Sequence, residues 1–280
     1  MTQVLDRKAA VDSPVSEPGT RPPAAVRVNG VSVGYSGPSV LTGVDLDVVP
    51  GEIVALCGPN GSGKSTLLAA MAGLQPVVAG HIAMGQRRLD AMGRRELAQR
   101  VAYLPQQPIT PEGLSVREVV SLARYPHRRR LGGMRAADKR AVAAALERAE
   151  VGELANRPVE QLSGGERQRV WIALTLAQEA DVLLLDEPTT FLDPQHQVGV
   201  LRRMRRLARE LDLTVVWVLH DLNQAASYSD RMVLLKDGGI AASGVPEAVL
   251  TESVVRQVFD LDTLIMAHPE TGRPLCVPRT

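Results

Sequence analysis

The chain has 280 residues, with 32 basic and 31 acidic side chains and a formal net charge of +1. That length suits one large α/β domain or two lobes sharing a core, and the charge balance gives no global drive toward nucleic acid. Aromatic residues are only 3% of the chain, which argues against a base-stacking platform. The two cysteines, Cys57 and Cys276, make no disulfide framework and fit a reducing compartment. No apolar run is long enough to span a bilayer, and no basic start followed by an apolar stretch marks a secretory signal. The expectation is a cytoplasmic protein whose membrane attachment, if any, comes through a partner.

Residues 1–25 carry Pro14, Pro18, Pro22 and Pro23 among small and polar side chains and read as a disordered tail. Short alternating runs come next, Val26-Arg27-Val28 and then Val44-Asp45-Leu46-Asp47-Val48, which predict antiparallel strands. Ile53-Val54-Ala55-Leu56-Cys57 is an apolar run between Gly51 and Gly58, the pattern of a buried strand, with Cys57 as inert packing.

Gly58-Pro59-Asn60-Gly61-Ser62-Gly63-Lys64-Ser65-Thr66 then fits G-x-x-x-x-G-K-[ST], the phosphate-binding loop of nucleoside triphosphatases. Its glycines let successive N–H groups turn inward toward phosphate oxygens. Lys64 is placed to reach the β- and γ-phosphates, and the Ser65 hydroxyl to ligate Mg²⁺. A helix is expected from Lys64 through Ala72, closed by Gly73, with its positive dipole end on the phosphates. ATP and Mg²⁺ are therefore the expected ligands.

Further along, His81–Met84 and Val101–Leu104 are strand candidates, and an Arg-rich helical stretch runs from about Ser115 to Ala155, strongest over Ala136–Glu150. Ser163 with Glu166 three residues on makes a capping-box start to a helix. Val182–Leu185 and Val215–Leu219 read as parallel strands buried on both faces. Asp186 ends the first of them, where an acid can approach Mg²⁺ beside the phosphate loop, and Glu187 comes next, placed to activate the attacking water. His220 lies just past the second, where it could contact the γ-phosphate. His81, His127, His196 and His268 are read as surface or packing residues. Met232–Leu235 and Ile240–Ala242, joined by Asp237-Gly238-Gly239, read as a hairpin.

Several of these tracts resemble ABC ATPases in order and spacing over residues 26 to 250. Leu162-Ser163-Gly164-Gly165-Glu166 is similar to their signature motif and Asp186-Glu187-Pro188-Thr189 to their Walker B segment. Gln106 resembles the Q-loop glutamine, Leu192-Asp193 the D-loop, His220 the switch histidine, and Tyr35 the aromatic that stacks on adenine. The implied fold is an α/β P-loop NTPase with a mixed sheet, an antiparallel β subdomain and an α-helical subdomain. It implies a division into an ATPase domain over 26–255, with a helical subdomain at about 107–165, and a C-terminal extension over 256–280.

The resemblance also implies a head-to-tail dimer. Ser163, Gly164 and Gly165 of one copy, with Asp193, would close over ATP held by the other, although Ser163 is equally a plain helix cap. It implies catalytic roles for Lys64, Glu187 and His220, and Mg²⁺ contacts from Ser65, Asp186 and Gln106, with Gln106 passing closure to a partner.

Leu122-Ala123-Arg124-Tyr125-Pro126-His127-Arg128, Phe191–Gln197, His220–Ala225 and His268–Pro278 resemble the ATPases of iron–siderophore, haem and cobalamin importers. Pro194-Gln195 and Arg129–Gly133 depart from the siderophore pattern. The implied partners are transmembrane permease subunits and, indirectly, a substrate-binding protein, on the cytoplasmic face of the membrane. The expected cargo is a ferric siderophore; the alternatives are haem, cobalamin, or a soluble ABC ATPase that does not transport. Arg124, Arg128, Arg129 and Arg130 form a basic cluster that is either a surface for permease loops or lipid headgroups, or a solvated positive face.

Overall fold

The computed structural model describes residues 26–34, 39–128, 133–190 and 192–279. The expected tail, Tyr35, Arg129, Arg130 and Phe191 lie outside the described residues. In chain order the elements are β1 (Val26–Gly34), β2 (Ser39–Val48), β3 (Ile53–Cys57), α1 (Lys64–Met71), β4 (Ala79–Met84), β5 (Arg87–Arg88), α2 (Arg94–Arg100), β6 (Val101–Leu104), α3 (Val116–Leu122) and α4 (Ala136–Arg148). They continue with α5 (Gly164–Ala177), β7 (Val182–Asp186), α6 (Pro194–Glu210), β8 (Thr214–Val218), α7 (Leu222–Tyr228), β9 (Arg231–Lys236), β10 (Gly239–Gly244), α8 (Pro246–Val249), α9 (Glu252–Phe259), β11 (Thr263–Ala267) and β12 (Pro274–Pro278).

The central strands are apolar throughout because both of their faces are covered. Side chains alternate between faces along a strand. Ile53, Ala55, Cys57, Leu183, Leu185, Val215 and Trp217 therefore enter one core, shared with the helices α3 to α6. Val54, Leu56, Val182, Leu184, Val216 and Val218 enter a second core with α1 and the inner face of β1 and β2. The main sheet has six strands in the order β10-β9-β3-β8-β7-β6, and the second sheet has four, β2-β1-β4-β5, all antiparallel pairs. In the main sheet only β10 runs antiparallel to its neighbour. Helix α1 lies between the sheets, with Leu67, Leu68, Ala70 and Met71 buried.

This topology sets the site. Four adjacent parallel strands, β3, β8, β7 and β6, end at one edge of the sheet. That is where α/β folds place ligands. The glycine loop leaves the end of β3, His220 lies just past β8, Glu187 directly after β7, and Gln106 just past β6.

Two expectations change. Arg124 is not part of a solvated or docking face: it is 4% exposed. Its guanidinium pairs with Asp138 at 3.1 Å and Glu179 at 2.7 Å, and donates to the Ala177 carbonyl at 2.7 Å, so it ties α3 to α4 and α5. A buried cation persists only when paired in this way. Second, a division at 255/256 falls inside α9, whose Val255 and Val258 are both buried. The unit beyond it is the hairpin β11–β12, a two-stranded sheet of its own.

Candidate active site

The loop between β3 and α1 is built on glycines at positive φ: Gly58 (149°), Gly61 (79°) and Gly63 (99°). A side chain at Gly58 would strike backbone, and one at Gly63 would force Leu41 to shift. A Cβ on Gly58 would lie 2.2 Å from the Leu235 carbonyl oxygen, and one on Gly63 2.4 Å from Leu41 Cδ2. Lys64 Nζ donates back to the Gly58 and Pro59 carbonyls at 2.9 and 2.8 Å. Burial pulls the Lys64 pKa down, while Glu187 and Asp186 oppose it. Ser62 Oγ is buried with no hydrogen-bond partner.

A cation folded onto its own loop, an orphan hydroxyl and the free N–H groups of α1 together form a cradle that suits a phosphate chain. A cavity of ≈170 Å³ over it brings Asn60, Gly61, Gly63, Lys64, Ser65 and Thr66 together with Glu187. Cys57, beneath the loop, is fully buried, and burial pushes its thiol up to about 12, so it stays neutral.

The acid side of the site comes from β7. Asp186 is 4% exposed, and its Oδ1 accepts from Ser65 Oγ at 3.0 Å. Burial pushes its carboxyl up, against the hydrogen bond from Ser65. Tyr103, on β6, lies beside this carboxylate, and burial, with the Asp186 charge, pushes its phenol up to about 12. Among the described residues no group of three or more His, Cys, Asp or Glu side chains could hold a metal. A divalent ion here would take the Ser65 hydroxyl and the Asp186 carboxylate, with the Gln106 side-chain oxygen as the third expected contact, and the rest of its shell from water and phosphate oxygens. That hard, sparse donor set fits Mg²⁺.

Glu187 is the centre of the polar network. Its Oε1 lies 2.6 Å from His220 Nε2, and its Oε2 accepts from Gln106 Nε2 at 2.5 Å and from Thr190 Oγ1 at 2.8 Å. The residue sits at φ 51°, a strained conformation for a glutamate and one that active sites often store. Glu187 and His220 also line a second cavity of ≈290 Å³, so Glu187 borders both cavities.

Other expected residues lie apart. Ser163 caps α5: its Oγ accepts from the Glu166 N–H at 3.3 Å, and the Glu166 carboxylate accepts from the Ser163 N–H at 2.9 Å. Gly165 packs against His196, where an added Cβ would sit 3.2 Å from Cδ2, beside a separate cleft of ≈200 Å³. Asp193 caps α6, accepting from the His196 N–H at 3.0 Å. None of Ser163, Gly164, Gly165 and Asp193 lines the two cavities around Glu187.

Sequence reasoning missed Thr190 and Tyr103. Thr190 closes a turn on Glu187 (Thr190 N–H to the Glu187 carbonyl, 3.2 Å), and the three-residue spacing of a hydroxyl from an acid was its only signal. Tyr103 pairs in register with Leu184, so strand alternation puts it on the same face as Asp186.

A buried strand, a glycine cradle, a helix that begins at the lysine, and a serine–aspartate oxygen pair define a P-loop nucleoside triphosphatase. Residues 41–190 match the family described as ABC transporter. The chain belongs to this family and is one of its ATPases. It is 40% identical to the iron(3+)-hydroxamate import ATP-binding protein FhuC of Bacillus subtilis (strain 168) over 247 residues, 88% of this chain and 92% of that one. It is 46% identical to the hemin import ATP-binding protein HmuV of Streptomyces coelicolor over 269 residues, 94% and 95% of the two chains. It also superposes on the dimeric post-hydrolysis state of the ATP-binding cassette MJ0796 bound to ADP and Pi. There the TM-score is 0.69 with 31% identity, covering 79% of this chain and 98% of that one.

Proposed function

We propose that the chain is the ATP-hydrolysing subunit of an importer that carries an iron chelate, a ferric siderophore, through separate membrane permeases. The observation that carries the hydrolytic role is Glu187, held by His220, Gln106 and Thr190 on the border of the phosphate-loop cavity. In this reading Lys64 leaves the Gly58 and Pro59 carbonyls for the β- and γ-phosphates. The loop N–H groups and Ser62 bind the remaining oxygens, and Tyr35 stacks on adenine. Ser65 and Asp186 hold Mg²⁺, which when bound neutralises charge on the phosphates. Glu187 takes a proton from the attacking water, and His220 orients Glu187 and faces the γ-phosphate.

The distance of Ser163, Gly164, Gly165 and Asp193 from the Glu187 cavities supports a head-to-tail pair in which one copy's α5 faces the other's phosphate loop. The dimeric cassette it superposes on points the same way. Gln106, bonded to Glu187 and leading into the helical lobe at about 107–165, would report the state of the site to a permease. A substrate-binding protein would act upstream. Attachment at the cytoplasmic membrane face would be peripheral; among the described residues no helix is long and apolar enough to cross a membrane.

Relatives that import siderophores, at about 40% identity, support the cargo. The 46% identity to a hemin import protein favours hemin as a second reading. Uptake of labelled ferric siderophore and of hemin in a deletion strain separates them. Loss of siderophore uptake alone supports the first, loss of hemin uptake alone the second, and loss of neither overturns both.

A further inference from the structure

The C-terminal tract His268–Pro278 has a structural task that its sequence does not show. Helix α7, which begins two residues after His220, is seven residues long and buries only Ala225 and Ala226. A helix so short is unstable by itself; its apolar anchors are the two buried alanine methyls and the partly buried Leu222 and Tyr228, which pack on the core. Its N-terminus is capped within the segment: the Asp221 carboxylate accepts from Asn223 N–H at 2.7 Å and Gln224 N–H at 3.0 Å. Beside a bond from α6, where Arg205 Nη1 donates to the Ser227 carbonyl at 2.9 Å, polar restraint comes from the hairpin β11–β12.

The Asn223 side chain makes a two-point bond to one strand residue. Its Nδ2 donates to the Cys276 carbonyl at 3.2 Å, and its Oδ1 accepts from the Cys276 N–H at 2.7 Å. At the other end, Arg273 Nη1 donates to the Ser229 carbonyl at 2.7 Å and also to the Ala226 carbonyl. A cation on the last carbonyls of a helix suits its dipole. The turn that delivers Arg273 accounts for the motif. Gly272 sits at φ 70°, its N–H donates to the His268 carbonyl at 2.8 Å, and the His268 N–H donates to the Arg273 carbonyl at 2.7 Å. The hairpin is itself fixed to the core through buried Thr263 and Cys276.

We infer that the β11–β12 hairpin is a positioning clamp for the hydrolytic site: Asn223 and Arg273 hold α7 so that His220 meets Glu187. Both are positioning residues acting through His220, and the inference rests on the roles proposed for His220 and Glu187. The same helix reaches the Asp193 region, because Gln224 Nε2 donates to Gln197 Oε1 at 2.8 Å and Gln197 Nε2 to the Leu192 carbonyl at 2.9 Å.

The test is single-turnover and steady-state ATP hydrolysis by the full chain carrying Asn223→Ala, Asn223→Asp, Arg273→Gln, His220→Ala and the Asn223→Ala/His220→Ala pair. Met266→Ala, on the exposed face of the hairpin, is the control and keeps the normal rate. Asn223→Ala is expected to lower kcat about tenfold, with KM and ATP affinity changed less than about twofold. Asn223→Asp, which keeps the acceptor for the Cys276 N–H but sets a carboxylate oxygen against the Cys276 carbonyl, is expected to be slow as well.

The double variant is expected to be no slower than His220→Ala, because both changes remove the same contact. Multiplied losses in the double variant, or a normal kcat in Asn223→Ala, overturn the clamp. If Asn223→Ala does not fold, Asn223→Asp and Arg273→Gln carry the same comparison. A normal rate in His220→Ala overturns the role of His220 itself, and the clamp with it; a slow His220→Ala beside a normal Asn223→Ala overturns the clamp alone.

Discussion

Replacing Glu187 by Gln changes one atom and isolates its chemistry. The glutamate accepts at both oxygens, from Gln106 and Thr190 on one side and facing His220 on the other. A glutamine can keep its oxygen toward Gln106 and Thr190 and turn its amide toward His220. The bonds that remain are neutral rather than charge-assisted, a loss of about 1–2 kcal/mol in stability. The amide cannot accept a proton from water, and removing a general base costs about 10²–10⁴ in rate, which is about 3–5 kcal/mol of barrier. Phosphate release should therefore fall by that factor. ATP affinity by calorimetry should hold, and sedimentation in ATP should show an accumulated dimer. Turnover within about threefold of the unmodified protein would remove Glu187 from the role of base.

Other outcomes rest on packing and charge. Arg124→Ala strands Asp138, whose side chain is 4% exposed, and should cost about 3–5 kcal/mol in thermal or denaturant unfolding; an unchanged Tm would return Arg124 to the surface. Burial pushes the Asp138 carboxyl up, but hydrogen bonds from Arg135 and Arg124 outweigh it and hold its pKa below the usual carboxylate range. A depressed folded pKa gives stability that is present above the unfolded value of about 3.9 and is lost as pH falls through the folded one. Denaturant titrations from pH 6 downward should therefore lose less stability in Asp138→Asn, from its lower start, than in the unmodified chain. Gly58→Ala drives a Cβ to 2.2 Å from a backbone oxygen, so ATP affinity should fall about tenfold or more while the circular dichroism is kept; normal affinity would show that the cradle tolerates a side chain there.

The features legible in the sequence are local or periodic. The apolar run Ile53–Cys57 is the strand β3 residue for residue, and the helix begins at Lys64, because strand, loop and cap are each written in neighbouring residues. Val101–Leu104 is likewise β6 as expected. The strands of the second sheet run longer than the alternating cores that signal them, since β1 continues to Gly34 through irregular register. The burial of Arg124 is hidden in the sequence because its partners Asp138 and Glu179 lie 14 and 55 residues away. The hairpin β11–β12 is invisible for a similar reason. Its partners are on α7, with Cys276 53 residues from Asn223, and its composition carries no periodic apolar face. The network around Glu187 is also beyond sequence reading, as Gln106 and His220 reach it from other strand ends.

The central claim is that the Gly58–Thr66 loop grips a triphosphate with Mg²⁺ held at Ser65 and Asp186. Titration calorimetry of the full chain with ATP, with and without Mg²⁺, beside a Lys64→Ala variant, tests it most directly. Saturable binding that strengthens with Mg²⁺ and is lost in the variant is the predicted result. No Mg²⁺-dependent affinity in the unmodified chain, or equal affinity in the variant, would contradict it.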